Sequence, residues 1–114
     1  MIRSGAILTY LCEQYGKDGQ FNGKTVKERA TINTWLTFQT SGLGPMQGQL
    51  NFFTFIGPKI TGVPTEESIM KRYTDESYRC YGVLETQLAL QKQAGSAFIA
   101  SDRLSIADIA FQTW

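Results

Sequence analysis

Seven residues, Ser105-Ile106-Ala107-Asp108-Ile109-Ala110-Phe111, constrain the fold more than any other stretch, because they specify a helix start in three separate ways. Ser105 is a favoured N-cap. Asp108 stands three positions on, where its carboxylate reaches back to the Ser105 N–H while the Ser105 hydroxyl accepts the Asp108 N–H. Leu104 and Ile109 occupy the two positions of a hydrophobic staple, which sets the angle at which the chain approaches the helix. Past the cap, Ile109, Ala110, Phe111 and Trp114 leave little polar surface beyond Gln112 and Thr113. So apolar a helix is one that others pack around, and a bundle centred on it is predicted. Asp108 is then a structural capping residue rather than an acid or base, since backbone donors at the positive end of the helix occupy its oxygens.

The bulk numbers limit what such a bundle can do. In 114 residues, 42% are apolar and 12% aromatic against 18% charged, enough side-chain area for one folded domain. Eleven basic and ten acidic residues leave a net charge of +1 with no basic block, which argues against nucleic acid as a partner. No apolar run has the length to span a bilayer, and no small-residue cleavage site follows the first residues, so a cytoplasmic protein without membrane association is expected. Histidine is absent, and Cys12 and Cys80 stand far apart with no CxxC spacing. That removes histidine general-base catalysis, argues against a metal site, and leaves two thiols on apolar stripes that read as buried and inert.

Along the chain, Ile7, Leu8, Leu11, Cys12 and Tyr15 have the spacing of one helical face, with Ser4 as the expected N-cap and Gly16 as the stop. Thr25-Val26-Lys27-Glu28 is a second capping box, Thr25 the cap and Glu28 reaching back, opening a long helix that carries Ile32, Trp35, Leu36, Leu43, Leu50 and Phe53. Pro45 between Gly44 and Met46 predicts a kink or break. Two readings of that segment stay open: it bends a helix around the core, or it opens one side of a cleft with Gly44, Met46 and Gln47 facing a ligand. Phe52, Phe53, Phe55 and Ile56 lie on several faces and call for more cover than one core supplies. Gly57-Pro58, Gly62 and Pro64 predict a loop. Thr65 then caps a third helix, whose stripe of Ile69, Tyr73, Cys80, Leu84 and Leu88 should face the central helix. Asp75 and Glu76 read as a solvated pair. Phe98-Ile99-Ala100 is expected to be a short extended link.

Several of these stretches resemble one family. Arg103-Leu104-Ser105-Ile106-Ala107-Asp108-Ile109-Ala110-Phe111 resembles the buried capping-box helix of the glutathione transferase C-terminal domain. Ser4-Gly5-Ala6-Ile7-Leu8-Thr9-Tyr10-Leu11 looks like the Glu-Ser-x-Ala-Ile-x-x-Tyr-Leu signature of the same family. Thr40 to Gln49, Tyr73-Thr74-Asp75-Glu76 and Tyr81-Gly82-Val83-Leu84-Glu85 are similar to the fungal class that includes the yeast nitrogen-repression regulator and prion former.

The resemblance implies an all-α, truncated transferase C-terminal bundle. Residues 1–16 would be the last helix of a thioredoxin-like glutathione-binding domain, and residues 22–114 most of the helical domain. It assigns Ser4 to the γ-glutamyl carboxylate of glutathione, as helix-end N–H groups favour. Arg3, standing where the family has an acid, would lie beside the glutathione ammonium. Gly44, Met46, Gln47 and Phe111 are assigned to the acceptor pocket, and no catalytic residue is assigned within the chain. The parent activity implied is glutathione conjugation or glutathione-dependent thiol and disulfide chemistry on small hydrophobic electrophiles, in a cytoplasmic homodimer with glutathione as substrate and no metal. Because the thiol-activating donor would come from the thioredoxin-like domain, this chain alone is expected to be inactive. The alternative is a non-enzymatic regulatory or dimerisation module of the same fold.

Overall fold

The computed structural model describes residues 4–112; Arg3, Thr113 and Trp114, which carried expectations, lie outside the described residues. Among the described residues every regular element is helical: α1 (Ser4–Tyr15), α2 (Val26–Thr37), α3 (Gly44–Asn51), α4 (Gly57–Thr61), α5 (Glu67–Gln93) and α6 (Ile106–Gln112). Two π-helical segments, π1 (Phe38–Leu43) and π2 (Phe52–Ile56), join α2, α3 and α4 into one rod.

The capping-box helix sits at the centre. Ile106, Ala107 and Ala110 of α6 are buried with Ile32 and Leu36 of α2 and with Ile99 and Ala100, while Leu8, Cys12, Leu84, Leu88 and Phe111 pack around them. Fully burying one such large aliphatic side chain contributes about 1.5–3 kcal/mol. The cap differs from the expected box. The Asp108 carboxylate accepts the Ser105 N–H at 2.8 Å, and the Ser105 hydroxyl turns to that same carboxylate at 2.6 Å instead of taking the Asp108 N–H. The second carboxylate oxygen accepts the Ile99 N–H at 2.8 Å. Asp108 thus locks both the helix start and the preceding link, which is bent rather than extended and whose Ile99 carbonyl accepts the side-chain amides of Gln87 and Gln91. Leu104 stays 37% exposed, so a staple does little here. The approach is held by the Ile106 N–H donating to the Phe21 carbonyl at 2.9 Å.

The second box forms as expected, with the Glu28 N–H on the Thr25 hydroxyl and the Glu28 carboxylate on the Thr25 N–H. Glu28 also accepts the Lys24 N–H and pairs with Arg103 at 3.1 Å, tying the start of α2 to the link before α6. Gly23 lies in this knot at φ 97°, and a Cβ there would meet the Arg29 nitrogen at 2.6 Å, so no larger residue fits.

No break occurs at Pro45. A proline in an α-helix clashes with the carbonyl four residues back. Here the helix widens one turn earlier, and the Gly44 N–H bonds the carbonyl of Gln39, five back. The rod repeats the device before Pro58, where the Gly57 N–H bonds Phe52. Gly57-Pro58 therefore opens α4 and not the predicted loop, which starts at Gly62 in the left-handed conformation at φ 70°. Thr65 is likewise not the cap of α5. Its hydroxyl donates to the Phe53 carbonyl at 2.7 Å, and Glu66 stands at the N-cap, its side chain capping no backbone N–H.

The α5 stripe has the predicted spacing, with buried Ser77 filling the gap between Tyr73 and Cys80. Its first half faces α3 and π1 rather than α6, with Tyr73 stacked on Phe53 at 5.6 Å; Leu84 and Leu88 reach the α6 core. Helix α1 also departs from expectation. Leu8 and Cys12 pack inward, but Ile7, Leu11 and Tyr15 are exposed, because the face that meets the rod is turned toward Gly5 and Thr9. A Cβ on Gly5 would lie 3.1 Å from the Thr40 methyl, so glycine permits this close approach. The molecule is a slab of 52 × 35 × 17 Å, only about two helix diameters thick.

Candidate ligand cavity between the first helix and the rod

Where α1 leans on the rod, it leaves a cavity of about 700 Å³, within the roughly 300–1,000 Å³ range of small-molecule sites. One wall is the opening turns of α1, with Ser4, Gly5, Ala6 and Thr9. The other comes from α2 (Asn33, Leu36, Thr37), π1 (Gln39, Thr40) and α3 (Gly44, Pro45, Gly48, Gln49). None of these lining side chains is charged and none is aromatic. The electrostatic character of the cavity is set by the start of α1, whose first turn carries no acidic residue. The positive end of a helix dipole favours an anion there.

Of the residues singled out from the sequence, Ser4 and Gly44 come together on this cavity. Gln47 turns to α5, where its side-chain oxygen accepts the Tyr81 hydroxyl at 3.0 Å. Met46 is half-buried outside the lining, and Phe111 packs on the α6 core. Arg3 lies outside the described residues. The phase of the rod explains this placement: a π turn inserts one residue and rotates everything after it by about 100° relative to an α-helix. Gly48 and Gln49 thereby reach the cavity. Asn33, Thr37, Gln39 and Thr40 also line it and were not singled out; Asn33, Thr37, Thr40 and Gly44, at steps of four, three and four, were the signal available.

Nucleophiles and acids lie elsewhere. Cys80 is fully buried, and burial pushes its thiol above the ordinary range. Cys12 lines a separate polar hollow beside Glu13, Lys24 and Arg29, and its thiol is raised by burial and then by the Glu13 charge. Asp75 and Glu76 are engaged on the surface of α5, with Lys71 at 2.6 Å and Arg79 at 2.7 Å. The Arg79 hydrogen bond holds the Glu76 carboxyl below the usual range. Among the described residues, the cavity can therefore bind and orient a ligand, with an anionic group at the α1 end and uncharged polar groups along the rod.

The architecture is an all-helical domain in which a helix start meets a long, glycine-proline-punctuated rod across a cavity. No family model matches the chain. It is 38% identical to the disulfide-bond oxidoreductase YfcG of Escherichia coli over 114 residues, all of this chain and 47% of that protein. It is 35% identical to the transcriptional regulator URE2 of Saccharomyces cerevisiae, covering 97% of this chain and 38% of that one. The solved structure of a glutathione transferase homologue from Lodderomyces elongisporus, with two glutathione molecules per subunit, superposes at a TM-score of 0.86 and 32% identity over the whole chain and 50% of that structure. The homologues and structural neighbours of this chain are glutathione transferases, Ure2-type proteins among them, and the chain spans half or less of the length of these relatives.

Proposed function

We propose that this chain is the helical part of a glutathione-handling protein whose activity is glutathione conjugation or glutathione-dependent thiol and disulfide chemistry. Residues 1–16 serve as the last helix of a thioredoxin-like glutathione-binding domain, and residues 22–114 form the helical domain. The observation that carries the reading is the cavity itself, with Ser4 and the start of α1 on one wall of an otherwise uncharged site. The γ-glutamyl carboxylate of glutathione is an anion suited to that helix end. Gly44 and its neighbours on the rod line the acceptor side.

The donor that lowers the glutathione thiol pKa comes from the remainder of the parent, so the 114 residues alone do not turn over substrate. The parent works in the cytoplasm as a homodimer on small electrophiles. Exposed Phe55, Ile56 and Ile60 on one end of the rod support a need for partner cover. The relative crystallised with glutathione supports the choice of ligand.

The test uses the full-length gene product: glutathione affinity by calorimetry, with turnover of an electrophile and of a mixed disulfide. Ser4→Ala should weaken glutathione binding about tenfold, the loss of one charge-assisted hydrogen bond. Unchanged affinity in that variant would refute the assignment of Ser4. Binding without turnover of either substrate would favour the regulatory module over the enzyme.

A further inference from the structure

Gln39 is 1% exposed, lines the cavity, and has a side-chain amide nitrogen with no hydrogen-bond partner. Buried amides left in that state are rare and costly, so each calls for a reason. Packing does not supply one. Leu36 and Leu43, one turn to either side, are buried and apolar, and a leucine or methionine at position 39 would fill the same interior without stranding a donor. Two hydroxyls of the wall are already spent, Thr40 donating to the Leu36 carbonyl at 3.0 Å and Thr9 to the Gly5 carbonyl at 3.0 Å, and Ser4 and Thr37 are exposed. Asn33 and Gln49 are exposed, so their amides are open to solvent. Of the lining side chains, Gln39 is thus the one that is buried and still holds an unused donor. The other stranded polar atom among the described residues, the Ser77 hydroxyl on α5, does not line the cavity.

We propose that Gln39 is a specificity-determining residue whose amide N–H group bonds a carbonyl or carboxylate oxygen on the part of the ligand lying along the rod. The site thereby selects peptide-type acceptors over alkyl ones. Gaining an unmet buried donor rewards a ligand that carries an acceptor and penalises one that leaves the donor dry, the asymmetry by which polar sites discriminate most strongly. The inference rests on the glutathione reading of the α1 end and extends it to the opposite wall.

The experiment is calorimetric titration of the full-length protein with two probes that share a glutathione half. Glutathione disulfide carries carbonyl and carboxylate oxygens on its second half; S-hexylglutathione carries an alkane there. Gln39→Met should weaken the disulfide about tenfold and leave S-hexylglutathione within twofold, with a melting midpoint equal to or above that of the parent. Ser77→Ala should change neither affinity. Equal losses for both probes, no loss for either, or a Ser77→Ala effect matching that of Gln39→Met would overturn the proposal while leaving the glutathione reading intact. Failure of the unsubstituted protein to bind either probe would overturn both. Should Gln39→Met not fold, the side-chain amide resonances of ¹⁵N-labelled Gln39 in the unsubstituted protein should shift with the disulfide and not with the hexyl probe; the reverse pattern or no shift overturns the proposal.

Discussion

Replacing Asp108 by alanine removes one carboxylate from three donors at once, and the cost can be worked from the bonds lost. The Ile99 N–H, at 2.8 Å from the carboxylate, belongs to a residue only 2% exposed, so water cannot take over. A buried donor left unpaired costs about 1–3 kcal/mol. The Ser105 N–H and O–H lose their partner as well, at 2.8 and 2.6 Å, which is the loss of a helix cap at about 0.5–2 kcal/mol. The two contributions act on one side chain and overlap, giving roughly 2–4 kcal/mol in all. For a domain of this size that lowers the melting midpoint by roughly 10–25 °C. Asp108→Asn, which keeps one acceptor oxygen, should fall between the alanine variant and the parent. Ser105→Ala, which removes only the hydroxyl, should cost about 1 kcal/mol. The assay is thermal and urea unfolding of the three variants, with amide hydrogen exchange at Ile99. A shift below about 3 °C for Asp108→Ala, roughly the effect of one weak bond, or unchanged exchange at Ile99, would refute the claim that one carboxylate holds both the link and the helix.

Acid should expose the second capping box. The Glu28 carboxyl is held below the usual carboxylate range, first by the Lys24 N–H and then by Arg103. Its stabilising contribution is complete above the unfolded value of about 4.3 and is lost as pH falls through the lower folded value. Glu28→Gln should therefore trail the parent in urea midpoint at pH 6 and converge with it toward pH 3; parallel curves would contradict this. Gly5→Val, whose Cβ would sit 3.1 Å from the Thr40 methyl, should destabilise by about 1–3 kcal/mol in denaturant titration. Thr40→Ala should restore part of that loss, and no rescue by the pair would show that the clash lies elsewhere.

The bundle was legible because its signals are local. Ser105 and Asp108 lie three residues apart, as do Thr25 and Glu28; the second box formed as read from the sequence, and the first formed its carboxylate half at the residues read. The stripe through Cys80, Leu84 and Leu88 was likewise visible as a period. What escaped was anything that depends on the phase of the rod. Pro45 announces a disturbance, but nothing local says whether the chain kinks, breaks or widens, and widening carries Gln49 to the cavity and Gln47 to Tyr81. The third donor on Asp108, the Ile99 N–H, is nine residues away across a bent link, beyond the reach of any helical spacing rule. Tertiary pairs such as Arg103 with Glu28, 75 positions apart, are invisible for the same reason.

The two Gly-Pro pairs show how a register change can be written in sequence. At Gly44-Pro45 and at Gly57-Pro58 the glycine N–H bonds the carbonyl five residues back, and the proline follows without a break. The proline has no N–H to contribute, so the ladder loses nothing more there, and the wider turn moves the facing carbonyl out of the way of the ring. A rod built this way stays continuous while its faces rotate. Before the first pair, Ile32 and Leu36 face the α6 core; after it, Tyr81 of α5 meets Gln47, and Phe53 stacks on Tyr73. At the turn between these two apolar commitments neither neighbour covers the helix completely. That is where Gln39, Thr40 and Gly44 come to line the open space against α1. The cavity is thus a consequence of the register change, and removing Pro45's reason for the π turn would be expected to close it by returning Gln49 to the side now held by Gln47.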